Sequence, residues 1–293
     1  MTTHSFGENS TYILPTKNDE ALLVRKWNAA QTTKGIIIAI HGGMAHSGDW
    51  NVVAKFYNQK GYELHAIDLP GHGTYAEINA GKRNLLDIKT FDAYLQHIHD
   101  LINASQNDTQ DLPIYIFGHS MGGLIALLYG LSLDKNQKNI RGFGISSPWL
   151  KNKTGPPIPA FIVNILAKFF PTLPVSLKID LSQLTHDQAV LKRHQQDIDS
   201  GLRGGFATPR FAKVSQQAQA KLAIELSNWA DYPLAVAIAG MDHLADAQFT
   251  KTQMERIQSP LVQYRYYEEN LHENFNEINR EEVFQYLFDS LNM

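Results

Sequence analysis

Apolar residues follow two alternating rhythms along the chain. Gly35–Ile40 is short, wholly apolar and rich in β-branched residues, the pattern of a strand buried on both faces. Similar runs at 63–69, 113–117, 142–146 and 234–239 predict further buried strands, and 262–267 a more polar, aromatic one. Ahead of them, 12–14 and 21–27 read as a hairpin. Between the strands the period lengthens. Phe91, Leu95, Ile98, Leu101 and Ile102 share one face of a helix read from about residue 88. A second helix, 124–133, follows the strand at 113–117 after a glycine-rich turn. A third, 281–291, carries Val283, Phe284, Tyr286, Leu287 and Leu291. Strand and helix in alternation predict an α/β fold, with a mostly parallel central sheet flanked by helices.

The alternation fails between Trp149 and Trp229. No run there reads as a strand. Pro156, Pro157, Pro159, Pro171 and Pro174 precede two polar helical stretches, and Phe161, Ile162, Ile165, Leu166 and Phe169 recur at helical spacing. This predicts a helical cap inserted into the core: core at 1–148, cap at 149–229, core again at 230–293. Ile158, Phe161, Ile162 and Ile165 are the cap's candidates for contact with an apolar substrate.

Composition narrows the function classes. The chain has 293 residues, 43% of them hydrophobic and 19% charged, which suits a globular protein near the upper size for one core. A net charge of −3 argues against nucleic acid as a partner. The absence of cysteine excludes disulfides, a thiol nucleophile and thiolate metal sites. The polar first ten residues carry no secretory signal, and no apolar run nears the roughly 20 residues that span a bilayer. A cytoplasmic protein is expected, with peripheral membrane contact through the cap left open.

The chemistry concentrates at Gly118-His119-Ser120-Met121-Gly122, followed by Gly123, between a predicted buried strand and a predicted apolar helix. A serine on such a strand–turn–helix elbow projects its hydroxyl from the sheet edge, and the small residues around it leave room for the turn. The helix start aims N–H groups at the same place. A tetrahedral oxyanion needs two such donors. Met121, after the serine, offers one, and Gly43 in His41-Gly42-Gly43-Met44 offers the other. Serine also needs a base. His97 and His99 lie on a helix and are expected on its solvated side, His186 and His194 fall in the cap, and His41, His72 and His119 sit where they orient backbone or pack. His272 follows the last predicted strand and is the candidate base. Asp242, just past the strand at 234–239, is the candidate orienter of the base, with Asp246 as its rival, while Asp231 stands at the wrong strand end. No HExxH or comparable ligand set occurs, and neither metal nor cofactor is expected.

The sequence resembles the α/β-hydrolases of the monoacylglycerol lipase and lysophospholipase family over nearly its whole length. The likeness rests on His41-Gly42-Gly43-Met44 with His46-Ser47, on Asp68-Leu69-Pro70-Gly71-His72-Gly73, on the elbow at Ser120, on Ser146-Ser147-Pro148, on Gly240-Met241-Asp242-His243, and on His272-Glu273-Asn274-Phe275-Asn276-Glu277. It departs at Pro70, where members often carry Arg, and at Thr74 and Tyr75, where a Ser is common. The resemblance implies an α/β-hydrolase fold with a helical cap, a triad of Ser120, Asp242 and His272, oxyanion donors at Gly43 and Met121, and hydrolysis of an ester with one acyl chain. Lys192, Arg193, Arg203 and Arg210 are the cations that could meet a phosphate headgroup. Two other readings stay open at this point: a carboxylesterase or related hydrolase acting on small soluble substrates, and a non-enzymatic ligand-binding protein of the same fold.

Overall fold

The computed structural model describes residues 4–16, 20–106, 112–133, 139–153, 159–178, 180–229 and 231–293. The chain opens with a hairpin, β1 (Ser10–Pro15) and β2 (Ala21–Trp27), and then enters the sheet centre with β3 (Gly35–Ile40). Helix α1 (Asn51–Gln59) leads to β4 (Tyr62–Ile67), a four-residue α2 (Tyr75–Ile78) and α3 (Asp92–Gln106). Next come β5 (Ile114–His119), α4 (Met121–Ser132) and β6 (Ile140–Ser146). Then follow α5 (Ala160–Phe169), β7 (Val175–Ser176), α6 (Gln188–Asp199), β8 (Phe206–Ala207) and α7 (Pro209–Glu225). The sheet resumes with β9 (Leu234–Ala239), α8 (Ala247–Glu255), β10 (Val262–Tyr267) and α9 (Arg280–Ser290).

The eight-stranded sheet has the order β1-β2-β4-β3-β5-β6-β9-β10. Pairing is parallel from β4 through β10 and antiparallel only for β1–β2 and β2–β4. The period of two in β3 explains its all-apolar composition. Ile36, Ile38 and Ile40 pack with α3 and α4 on one face, whereas Ile37 and Ala39 join the cluster of Trp50, Tyr57 and Phe284 on the other. This is the predicted mostly parallel α/β-hydrolase sheet. Because the central strands run the same way, the loops after β3, β5, β6, β9 and β10 gather at one edge, where open α/β sheets hold their ligands.

Residues between β6 and β9 depart from the sheet pattern as expected, with one difference. A two-residue antiparallel ribbon of β7 and β8 lies among their helices, and an isolated bridge joins Ala207 to Leu86. Two residues per strand are too few to leave an alternating pattern in the sequence. Helix α7 packs Phe211, Val214, Ala218 and Leu222 into the main apolar cluster. Helix α5 buries Val163 but turns its predicted apolar face to solvent: Phe161 is 65% exposed, Phe169 64% and Ile165 51%. Ile158 lies outside the described residues.

Candidate active site

The elbow is built by close approach. A Cβ on Gly118 would fall 2.4 Å from the Gly122 carbonyl oxygen, and one on Gly122 would fall 2.0 Å from that of Ile40. Ser120 itself has φ +54° and ψ −116°, a left-handed backbone that costs a non-glycine residue about 1–3 kcal/mol. The turn is held in place because the Ser120 N–H donates to the Ser146 carbonyl (3.0 Å), and the Trp149 N–H to that of Ser120 (3.0 Å). The hydroxyl thus stands at the start of α4, where the positive end of the helix dipole faces the site.

His272 and Asp242 arrive from the loops after β10 and β9. The His272 Nε2 is 2.9 Å from Ser120 Oγ, and its Nδ1 is 2.7 Å from Asp242 Oδ2. The carboxylate only accepts, so Nδ1 carries the proton and Nε2 is free to take one from the serine. Asp242 is itself oriented, its Oδ1 accepting from the N–H groups of Leu244 (2.8 Å) and Ala245 (2.9 Å). Burial favours neutral His272, but the Asp242 carboxylate, helped by Glu273, outweighs it and raises the imidazole above its ordinary value. Burial likewise pushes Asp242 up, and His272 with the two backbone donors brings it below the ordinary carboxylate value. The rival Asp246 is engaged elsewhere: it caps α8 through Phe249 N–H (2.9 Å) and pairs with Lys151 (3.0 Å).

Gly43 lies beside the elbow, since a Cβ there would sit 3.9 Å from Met121 Sδ. His41 shapes this loop. Its Nε2 accepts from the Leu69 N–H (3.0 Å), so its Nδ1 donates to the Gly42 carbonyl (2.7 Å), and burial lowers it to about 4, leaving it neutral. His72 donates through Nδ1 to the Pro70 carbonyl (3.0 Å). Thr74 donates through its N–H and Oγ1 to Asp68, each at 2.9 Å. His119 lies beside His272, ring centroids 4.9 Å apart and planes tilted by 56°, and burial lowers it to about 4.

One histidine reading is corrected. His97 is buried, not solvated, because it lies on the stripe of Tyr94 and Leu101, each three or four positions away and fully buried. The candidate phosphate cations are mostly committed. Arg203 bonds Asp49 (2.5 Å), Arg193 bonds Asp49 (3.2 Å) and Asn276 (3.4 Å), and Arg210 grips Asp87 with two donors; Lys192 is exposed. His46, Asp49 and Asp197 bring possible ligand atoms within 4.8 Å of one another. The two guanidinium groups on Asp49 make this an ion-pair network and leave no vacant donor set of the kind a metal takes.

Sequence reasoning passed over the residues that hold the base loop. Asn274 donates to Ser147 Oγ (3.0 Å) and to the Ala237 carbonyl (3.2 Å), tying the loop to the sheet. Glu273 and Glu277 tie it to His194 and His186 of the inserted segment, at 2.8 and 2.9 Å. The polar string after His272 was the available signal, but nothing local shows which distant residues it meets.

The family model of Hydrolase_4, described as serine aminopeptidase, S33, matches residues 31–279. The Bacillus subtilis (strain 168) protein called phospholipase YtpA is 28% identical over 88% of this chain and 95% of its own length. Monoglyceride lipase of Homo sapiens is 25% identical over 93% of this chain and 86% of its own length. A soluble variant of monoglyceride lipase from Saccharomyces cerevisiae, solved with a substrate analogue, superposes with a TM-score of 0.82 at 20% identity, covering 99% of this chain and 97% of the other. Its likeness speaks to the fold. The chain belongs to the Hydrolase_4 family of α/β-hydrolases.

Proposed function

We propose that the protein is a serine hydrolase that cleaves carboxylic esters of lipids bearing one acyl chain. The observation that carries this reading is the unbroken line from Ser120 Oγ to His272 (2.9 Å) to Asp242 (2.7 Å). As the Ser120 hydroxyl attacks the ester carbonyl, Nε2 of His272 takes its proton, and Asp242 stabilises the imidazolium. The N–H groups of Gly43 and Met121 receive the oxyanion, each such donor being worth about 3–4 kcal/mol in the transition state. Among the described residues neither N–H is engaged by another group in a loop or side-chain bond. His272 then protonates the leaving alcohol, and water repeats the cycle on the acyl-enzyme.

An uncharged glycerol headgroup suits the site better than phosphoglycerol. Arg193, Arg203 and Arg210 are held by Asp49 and Asp87, so recruiting one for a phosphate would break an existing ion pair. Relatives carry both the phospholipase and the monoglyceride lipase names. In this reading residues 149–229 act as a cap, and the open apolar face of α5 docks on the lipid surface that holds the substrate. Phe161, Ile162 and Ile165 then meet lipid first.

Hydrolysis of monooleoylglycerol, lysophosphatidylcholine and a short-chain ester by the wild type and Ser120→Ala tests the proposal. Monooleoylglycerol should be the best substrate, and Ser120→Ala should lower turnover by about a millionfold. Cleavage of the short ester alone would reject a lipid substrate. Near-normal turnover by Ser120→Ala would reject the triad.

A further inference from the structure

The loop between β10 and α9 carries His272, and half of what holds it comes from the inserted segment. The Glu273 N–H donates to the Leu184 carbonyl (2.8 Å), and Thr185 Oγ1 donates to the Asn276 carbonyl (2.9 Å). Glu277 accepts from the Leu271 N–H (3.0 Å) with the same oxygen that meets Nδ1 of His186 (2.9 Å). The residues on either side of the base are therefore both fixed through this segment. The most deeply placed bond is that of His194. Its side chain is fully buried, and its Nε2 donates to Glu273 Oε2 at 2.8 Å, where Asn276 Nδ2 also donates at 2.8 Å.

We infer that His194 is a positioning residue for hydrolysis: it fixes Glu273, and through Glu273 the loop that sets the His272 imidazole against Ser120. The inference rests on the reading of Ser120, Asp242 and His272 as a triad. A buried carboxylate bonded to an imidazole is a poor device for stability alone, because an apolar pair of similar volume serves as well or better. It does fix direction, since a charge-assisted bond in a dry site is strong and tolerates little displacement. The pair also stands one residue from a base whose Nε2 must lie within hydrogen-bond reach of the serine.

Charged and titratable groups surround Glu273. From α6 comes His194, and Arg203 lies just beyond; Arg193 and Asp197 join the network through Asp49 and Arg203. Asp49 faces it from the loop after β3, with His46 paired to Asp197 beside it, and His119 and His272 face it from the sheet edge. Burial alone would raise the Glu273 carboxyl, yet His194 and Arg203 hold it far below the ordinary carboxylate value. It stays ionised wherever the enzyme works, and its charge helps to raise His272. The network thus contributes both direction and potential at the base.

The test uses the full chain as His194→Ala, His194→Gln and Glu273→Gln beside Ser120→Ala, with kcat and KM on a short soluble ester across pH. A soluble ester removes lipid binding from the readout. His194→Ala should lower kcat by about 10–100-fold with KM little changed, the scale expected when a catalytic group is displaced by about 1 Å. His194→Gln, which keeps a donor near the place of Nε2, should restore most of the loss. Glu273→Gln should move the acid limb of kcat/KM to lower pH, because a charge that favours the imidazolium is gone. Wild-type kcat in folded His194→Ala, or a change confined to KM, overturns the inference. Should His194→Ala fail to fold, Glu273→Gln decides: an unmoved acid limb overturns it. An active Ser120→Ala would instead overturn the triad on which it rests.

Discussion

At the scale of single residues, the proposed mechanism makes the pair of Asp242 and His272 set how the enzyme answers to pH. His272 accepts a proton only when neutral, and its folded value is raised by the Asp242 carboxylate against the pull of burial. The acid limb of kcat/KM should therefore fall with a midpoint above about 6.5, the ordinary histidine value. Asp242→Asn places an N–H where Nδ1–H must donate, which turns the imidazole to the wrong tautomer. A kcat about 10⁴-fold lower, with any residual acid limb moved to lower pH, is the expected result of a pH–rate series. A variant that kept both rate and limb would deny Asp242 its role. These residues were legible in the sequence because each stands just past a strand end, and a parallel sheet brings such ends together. His194 and Glu273 were not. They are 79 residues apart, and neither carries a local mark of the other. His97 misled for a related reason: polarity suggested solvent, while the positions of Tyr94 and Leu101 placed it on the buried stripe.

At the scale of elements, strands buried on both faces were the easiest to read, since continuous apolar runs with β-branched residues leave little choice. β3 and β9 have the predicted bounds, and so does the more polar edge strand β10. The start of α4 differs instructively. Gly122 and Gly123 read as turn, whereas α4 begins at Met121 and takes both into its first turn. They are glycine because the helix presses on neighbouring backbone, not because the chain turns there. Gly122→Ala tests this. Its Cβ would meet the carbonyl oxygens of Ile40 at 2.0 Å and His41 at 2.6 Å, atoms that cannot rotate away. We expect a loss of about 3 kcal/mol in urea unfolding, at the upper end for overpacking, with activity falling as Met121 shifts. Stability equal to the wild type would mean that the helix is free to slide from β3. The β7–β8 ribbon escaped notice because it is defined by its partner and not by its own residues.

At the scale of the whole molecule, α5 presents a continuous apolar face that a water-facing helix would not keep without use. Phe169 and Phe170 stand at its end, 64% and 57% exposed. Replacing both by Ser should weaken co-sedimentation with phosphatidylcholine vesicles by at least about tenfold, given about 1.5–3 kcal/mol for each large apolar side chain fully withdrawn from water. Turnover of a soluble ester should stay within about twofold. Equal sedimentation of the two proteins would remove lipid docking from this face. No helix among the described residues is long and apolar enough to cross a membrane. The order of strands carries one more consequence, in time. Ser120 is placed by β5 at the sheet centre, but its base waits on β10 at the far edge, 152 residues later. At roughly 5–20 residues per second, a ribosome makes the nucleophile about 8–30 seconds before the group that activates it. On the proposed triad the emerging chain is thus born mute, and hydrolysis waits until the outermost strand has been laid beside β9.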